Sequence, residues 1–116
     1  MSLETDINQL SPTTAVVTLR GRLSLGINLS LLQAQLTTLI DRGTNQILLD
    51  MGQVDHIDSA ALGMIVHING EVRTHIGELR VVAPQARVLG LFKMTGTNHL
   101  LNIYQDKGSA LAGFNL

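Results

Sequence analysis

Asp50-Met51-Gly52-Gln53-Val54-Asp55-His56-Ile57-Asp58-Ser59-Ala60-Ala61-Leu62-Gly63 is the stretch on which the reading of this chain turns. Just before and into it, Gln46-Ile47-Leu48-Leu49-Asp50 is a short apolar run of the kind that makes a strand buried on both faces. Behind it, Ala61, Ile65, Ile68 and Val72 recur at helical spacing, widened by Leu62 and Val66. That stripe predicts a helix from near Ser59 to about Thr74, with Gly77 marking the exit. The stretch therefore leaves a buried strand, loops, and enters a helix. Ser59 falls at or beside the helix start, where serine is favoured as a cap, and Asp58 suits the positive end of the helix dipole.

Working outward, Val16, Val17 and Leu19 lie in a β-branched run that ends at Gly21, and a weaker strand covers Thr5 to Leu10. Ser11-Pro12-Thr13 between them is turn-like, which suggests a hairpin. Leu29, Leu32, Leu36, Leu39 and Ile40 predict a helix, with Ser24 or Asn28 as its cap and Asp41-Arg42-Gly43 as its end, Gly43 being a good left-handed terminator. Past the second helix, Leu79 to Ala83 reads as a strand stopped by Pro84, and Ala86 to Met94 as a helix with Gly96 beyond it. Leu100, Leu101, Ile103 and Tyr104 read as a last strand, and Ser109 to Ala112 as a short helix. The order is β-β-α-β-α-β-α-β-α. It predicts an α/β fold with a mixed sheet: an N-terminal hairpin strand, then parallel strands joined by right-handed crossovers, with helices packed against them.

Residues 1–116 are expected to form a single domain, long enough to bury a core. With 45% hydrophobic and 15% charged residues, the composition is globular. A net charge of −1 provides no broad basic field, and three aromatic side chains provide no stacking platform, so nucleic acid is not an expected partner. The absence of cysteine excludes disulfides, thiol catalysis and thiolate zinc sites. No apolar run is long enough to span a membrane, and Met1-Ser2-Leu3-Glu4 has no basic region leading into an apolar one. A cytoplasmic location without direct membrane insertion is the expectation.

The decisive stretch contains Asp50, Asp55 and Asp58 but no Lys or Arg. In the simplest reading, Asp58 and Ser59 only cap a helix. In the sharper one, Ser59 is a phospho-acceptor. A hydroxyl at a loop-to-helix junction is reachable by a kinase, and a phosphate there faces backbone N–H groups suited to an anion. The modification adds roughly −1.5 to −2 charge beside Asp58 and Asp55. The fold tolerates it, whereas an acidic or close-packed partner is repelled.

Ile47-Leu48-Leu49-Asp50, then Val54, then Ile57-Asp58-Ser59-Ala60-Ala61-Leu62-Gly63 resembles the signature of STAS domains, the anti-sigma factor antagonists and their relatives. Val17 to Leu23 resembles the family's second strand and its Gly-x-Leu exit, Gly77 to Val82 the fourth strand, and Leu101 to Tyr104 with Ala110-Leu111 the last strand and helix. The resemblance implies a protein that is not itself an enzyme and needs no cofactor. It binds an anti-sigma factor that is also a serine kinase of the histidine-kinase-like ATPase type. Phosphorylation of Ser59 switches binding off, and a serine phosphatase restores it. The resemblance further implies a switch loop and partner-binding set of Asp55, His56, Asp58, Ala60, Leu62, Gly63 and Ser24. Two positions depart from the family pattern. Ser24 stands where an acidic residue is common after the Gly-x-Leu exit, and Ala61 where glycine is common. STAS domains also serve as non-phosphorylated scaffolds or subunits of transport and signalling complexes, and that remains the alternative.

Other chemistries find less support. His56-x-Asp58 supplies two ligands where a metal site normally needs three. A nucleophile elbow wants glycine two before and two after the serine, but Ile57 and Ala61 stand there. The Gly-x-x-x-x-Gly-Lys phosphate loop is absent. Arg20, Arg22, Arg80 and Arg87 read as scattered surface charge, and His67 and His75 as a partly exposed helix surface. Met51, Met64 and Met94 read as apolar fillers, with Met64 and Leu62 as an alternative partner surface.

Overall fold

The computed structural model describes residues 3–114, so Met1 and Ser2, part of the N-terminal reading above, lie outside the described residues. The elements run β1 (Leu3–Gln9), β2 (Thr14–Leu23), α1 (Ile27–Asp41), β3 (Gln46–Ile57), α2 (Ser59–Thr74), β4 (Glu78–Val82), α3 (Ala86–Thr95), β5 (Asn102–Tyr104) and α4 (Lys107–Leu111), with one 3₁₀ turn at Thr97–His99. The expected order is reproduced. The strands form one sheet in the order β1-β2-β3-β4-β5. β1 is antiparallel to β2, and every other pairing is parallel. The hairpin closes through Leu10 N–H and Ser11 N–H donating to the Thr14 carbonyl at 2.9 and 3.2 Å.

One face of the sheet carries the main core. Ala15, Val17 and Leu19 of β2, Ile47 and Leu49 of β3, and Leu79 and Val81 of β4 meet the apolar stripes of α1, α2 and α3. The alternate residues Val16, Leu48 and Val82 point the other way, where Ala110 of α4 and Phe114 cover them. The run Ile47-Leu48-Leu49 is thus buried on both faces, as its composition predicts.

Four local expectations need correction. Neither Ser24 nor Asn28 caps α1; Gly26 is its N-cap, with φ +154° and ψ −174° and no side-chain cap. β3 does not stop at Asp50 but continues to Ile57, because β2 keeps pairing with it as far as Leu23. Leu100 and Leu101 are not in the last strand: the 3₁₀ turn before them leaves Leu100 exposed and tucks Leu101 into the core, so β5 starts at Asn102. Arg80 is not surface charge. It is 9% exposed, paired with both carboxylate oxygens of Glu78 at 3.0 Å. Its guanidinium also donates to the Ala110 and Ala112 carbonyls and lies 4.0 Å over the Phe114 ring, fastening α4 to the sheet.

Gly77 marks a close approach between segments. A Cβ there would fall 1.9 Å from the Asn45 carbonyl oxygen, so only glycine admits the chain where β4 begins beside β3.

Candidate functional site

β3 pairs with β4 only as far as Asp50–Val82, but with β2 as far as Ile57–Leu23. Its second half therefore projects past β4 on one neighbour alone. Two register shifts lie in that half, between the partners of Thr18 and Arg20 and between those of Gly21 and Arg22, each placing one extra residue on β3. Such bulges break the two-residue alternation and re-aim side chains. The result is that Met51, Val54 and Ile57 all enter the core at spacings of three, while Gln53 and Asp55 are exposed.

The strand hands over to α2 at Asp58. That residue is extended (φ −115°, ψ −179°) and is the N-cap of α2. Its Oδ1 accepts from Ala61 N–H at 2.9 Å, satisfying a donor the helix cannot satisfy itself. Its Oδ2 accepts from Leu25 N–H, also at 2.9 Å, across to the β2–α1 turn. One carboxylate thus ties the start of α2 to the approach to α1. Partial burial, the largest single influence, works against the charged form. The Leu25 and Ala61 N–H groups and the nearby His56 outweigh it together and hold the carboxyl below the ordinary aspartate value.

Ser59 is the first residue of α2 and is exposed, and its hydroxyl has no hydrogen-bond partner among the described residues. The cap is Asp58 alone, so the expectation that Ser59 shares in capping is corrected. Asp55 is exposed and His56 half-buried. Ser24 is half-buried in the β2–α1 turn, next to the Leu25 amide that Asp58 holds. Ala60 is half-buried against the core, and Gly63 is exposed, with nothing within 4 Å of where a Cβ would stand. These residues converge on one end of the molecule. Leu62 and Met64, at 6% and 5% exposure, are instead core residues and offer no partner surface. Asp50 also stands apart: it points to the α4 face, where Lys107 Nζ lies 3.4 Å from its Oδ2, and so does not contribute to an acidic surround of Ser59.

Two features of this end are not marked by any motif. Leu25 and Ile27 are 79% and 73% exposed, an apolar pair beside the Asp58 carboxylate. A groove of about 410 Å³ opens between the end of β3 and α3, lined by His56, Ile57, Arg87, Leu91 and Met94 among others. Only exposure distinguishes these apolar residues from core ones, and exposure has no signature in sequence.

Residues 7–110 match the family model described as STAS domain. A Bordetella bronchiseptica protein provisionally named anti-sigma factor antagonist BtrV is 28% identical over 87 residues, which is 75% of this chain and 75% of that one. A Thermotoga maritima protein, tm1081, provisionally described in the same terms, has a crystal structure that matches with a TM-score of 0.84 at 22% identity, covering 92% of this chain and 91% of the other. The anti-sigma factor antagonist SpoIIAA in its unphosphorylated form matches with a TM-score of 0.81 at 16% identity, over 93% of this chain and 94% of SpoIIAA. The phosphorylated form of the Bacillus protein matches at 0.74, again at 16% identity, over 91% and 96%. At these identities the structural matches establish a shared fold.

Proposed function

This chain belongs to the STAS domain family, and we propose that within it the protein is an anti-sigma factor antagonist acting through a protein partner. The partner is an anti-sigma factor with serine-kinase activity; it binds the unmodified protein and is released when Ser59 carries a phosphate. The protein is then a substrate and a binding surface, not a catalyst, and it works in the cytoplasm, where a serine phosphatase resets it. The names of its relatives support the class of function, and SpoIIAA is known in both an unphosphorylated and a phosphorylated form.

The observation that carries the reading for this chain is the placement of Ser59. Its hydroxyl is exposed in the folded state, at the first position of a helix whose cap is a charged carboxylate one residue earlier. A phosphate on Ser59 sits at the amide end of α2, which favours an anion. It also sits beside a carboxylate held ionised, and beside exposed Asp55, so negative charge accumulates on a surface that has to fit a partner. The fold accommodates the charge, and the interface does not.

Incubation with the serine-kinase anti-sigma factor of the same organism and Mg-ATP, followed by intact-mass measurement, tests this. One added phosphate on the natural protein and none on Ser59→Ala is the expected result. An active kinase that binds the protein yet adds no phosphate would refute the switch and leave the scaffold reading.

A further inference from the structure

We infer that Leu25 and Ile27 form the apolar anchor by which the protein docks on the kinase that modifies Ser59, and that Asp58 holds this anchor in place. The inference rests on the assignment of Ser59 as acceptor and adds the surface that the partner grips.

Three observations lead to it. First, the pair is displayed rather than merely left over. Leu25 and Ile27 are 79% and 73% exposed, and Leu31, one turn further along α1, is 55% exposed and extends the strip. Three exposed aliphatic side chains in so short a span mark an interaction surface more strongly than single exposed residues do. Second, the display is built. Between the two lies Gly26 at φ +154° and ψ −174°, a backbone state open essentially to glycine, with nothing within 4 Å of where its Cβ would be. This backbone turns both neighbours outward, and the Leu25 amide is pinned at 2.9 Å by Asp58 Oδ2. Third, the anchor is continuous with the acceptor. Asp58 precedes Ser59 in the chain, so the Leu25 amide is bonded to the side chain of the residue next to the acceptor.

That continuity identifies the occupant. A kinase transferring a phosphoryl group to Ser59 must bring its active site against the hydroxyl. A standard interface of ~800 Å² per partner is a disc of roughly 16 Å radius. Leu25, whose amide meets the carboxylate of the residue before Ser59, is within reach of such a disc centred on Ser59, and Ile27 follows two residues on. Aliphatic anchors near the middle of an interface, with polar groups around them, are where binding energy concentrates.

The test is the affinity of the unmodified state, measured by titration against the purified anti-sigma serine kinase in a Ser59→Ala background so that no phosphate is added. Leu25→Ser with Ile27→Ser replaces two solvent-facing side chains and should leave the thermal midpoint unchanged. We expect Kd to rise about 30-fold, because each truncation of an interface anchor costs about fivefold or more. Ile76→Asn, at a 92% exposed position at the far end of α2, should bind like the parent. Full affinity in the double variant would overturn the anchor while leaving Ser59 as acceptor untouched. Equal weakening in the Ile76→Asn control would overturn it too, since the loss would not be local. If the natural protein neither binds the kinase nor is phosphorylated by it, the acceptor assignment fails and the anchor falls with it.

Discussion

Replacing Asp58 by alanine removes two hydrogen bonds from one carboxylate, and the two are separable. The bond from Ala61 N–H is an N-cap, whose loss costs about 1 kcal/mol. The bond from Leu25 N–H joins two segments near the surface, so water replaces it in part and its loss costs about 0.5–1 kcal/mol. Asp58→Ala should therefore lose about 1.5–2 kcal/mol. With an unfolding entropy near 2.1 cal/mol/K per residue over 116 residues, that is a fall of about 6–8 °C in Tm. Asp58→Asn keeps a carbonyl oxygen for Ala61 but has no second acceptor for Leu25, so it should lose only the smaller share. The charge adds a pH signature. The carboxyl of the folded protein lies below its unfolded value of about 3.9, so its contribution is fully present above that pH. It is lost as pH falls through the folded value. Urea unfolding at pH 7 and at pH 3.5 should show the gap between parent and Asp58→Ala narrowing in acid, while the gap between Asn and Ala variants stays nearly constant. Equal losses for Asn and Ala at pH 7, or a parent–Ala gap that does not change with pH, would refute the double-bond account.

Gly77→Ala should cost about 3 kcal/mol or prevent folding, because its Cβ would meet the Asn45 carbonyl, which also receives the Glu78 amide at 2.9 Å; a urea midpoint or the soluble yield reads this directly. Gly63→Ala runs the other way: the position is exposed, helical and open, so the Tm should rise by the equivalent of about 0.5–1 kcal/mol. Arg80→Met keeps the bulk but leaves the Ala110 and Ala112 carbonyls without their donor and Phe114 without its cation, at a cost of about 2–3 kcal/mol in chemical denaturation.

The second helix was legible to its ends because two independent signals coincide there: an Asp-Ser start and an apolar stripe of period 3.6. The strand before it was legible only to Asp50. Past that point its two bulges replace alternation by threes, so Met51-Gly52-Gln53-Val54-Asp55-His56-Ile57 has the pattern of a loop although β2 keeps pairing with it as far as Ile57. Parallel pairing is a long-range fact, and nothing local in β3 encodes it. The same limitation explains the other differences. Arg80 reads as a surface residue until Phe114 and two carbonyls from α4 close over it. Leu25 and Ile27 carry no signal in the sequence, and their exposure is seen only in the fold. Leu62 and Met64 lie on the flanks of the α2 stripe, and packing against α1 and the sheet decides that both are inside. At the site, the acceptor serine and its capping neighbour were legible in the motif. The tie from Asp58 to Leu25 was not, because it joins residues far apart in the chain.

The uneven covering of the sheet bears on how the chain is made. Three helices close the front face, and all of them precede residue 107 in the chain, so that face can assemble as the polypeptide emerges. The back face waits for residues 107–114: until Ala110, Phe114 and the carbonyls that hold Arg80 leave the ribosome, Val16, Leu48 and Val82 have nothing to bury them. A nascent chain therefore passes through a stage with a completed sheet and one greasy side uncovered, which is the period when chaperones have something to grasp. Closure then depends on a helix of one turn and a single arginine, so residues 107–114 decide whether the molecule leaves that vulnerable stage.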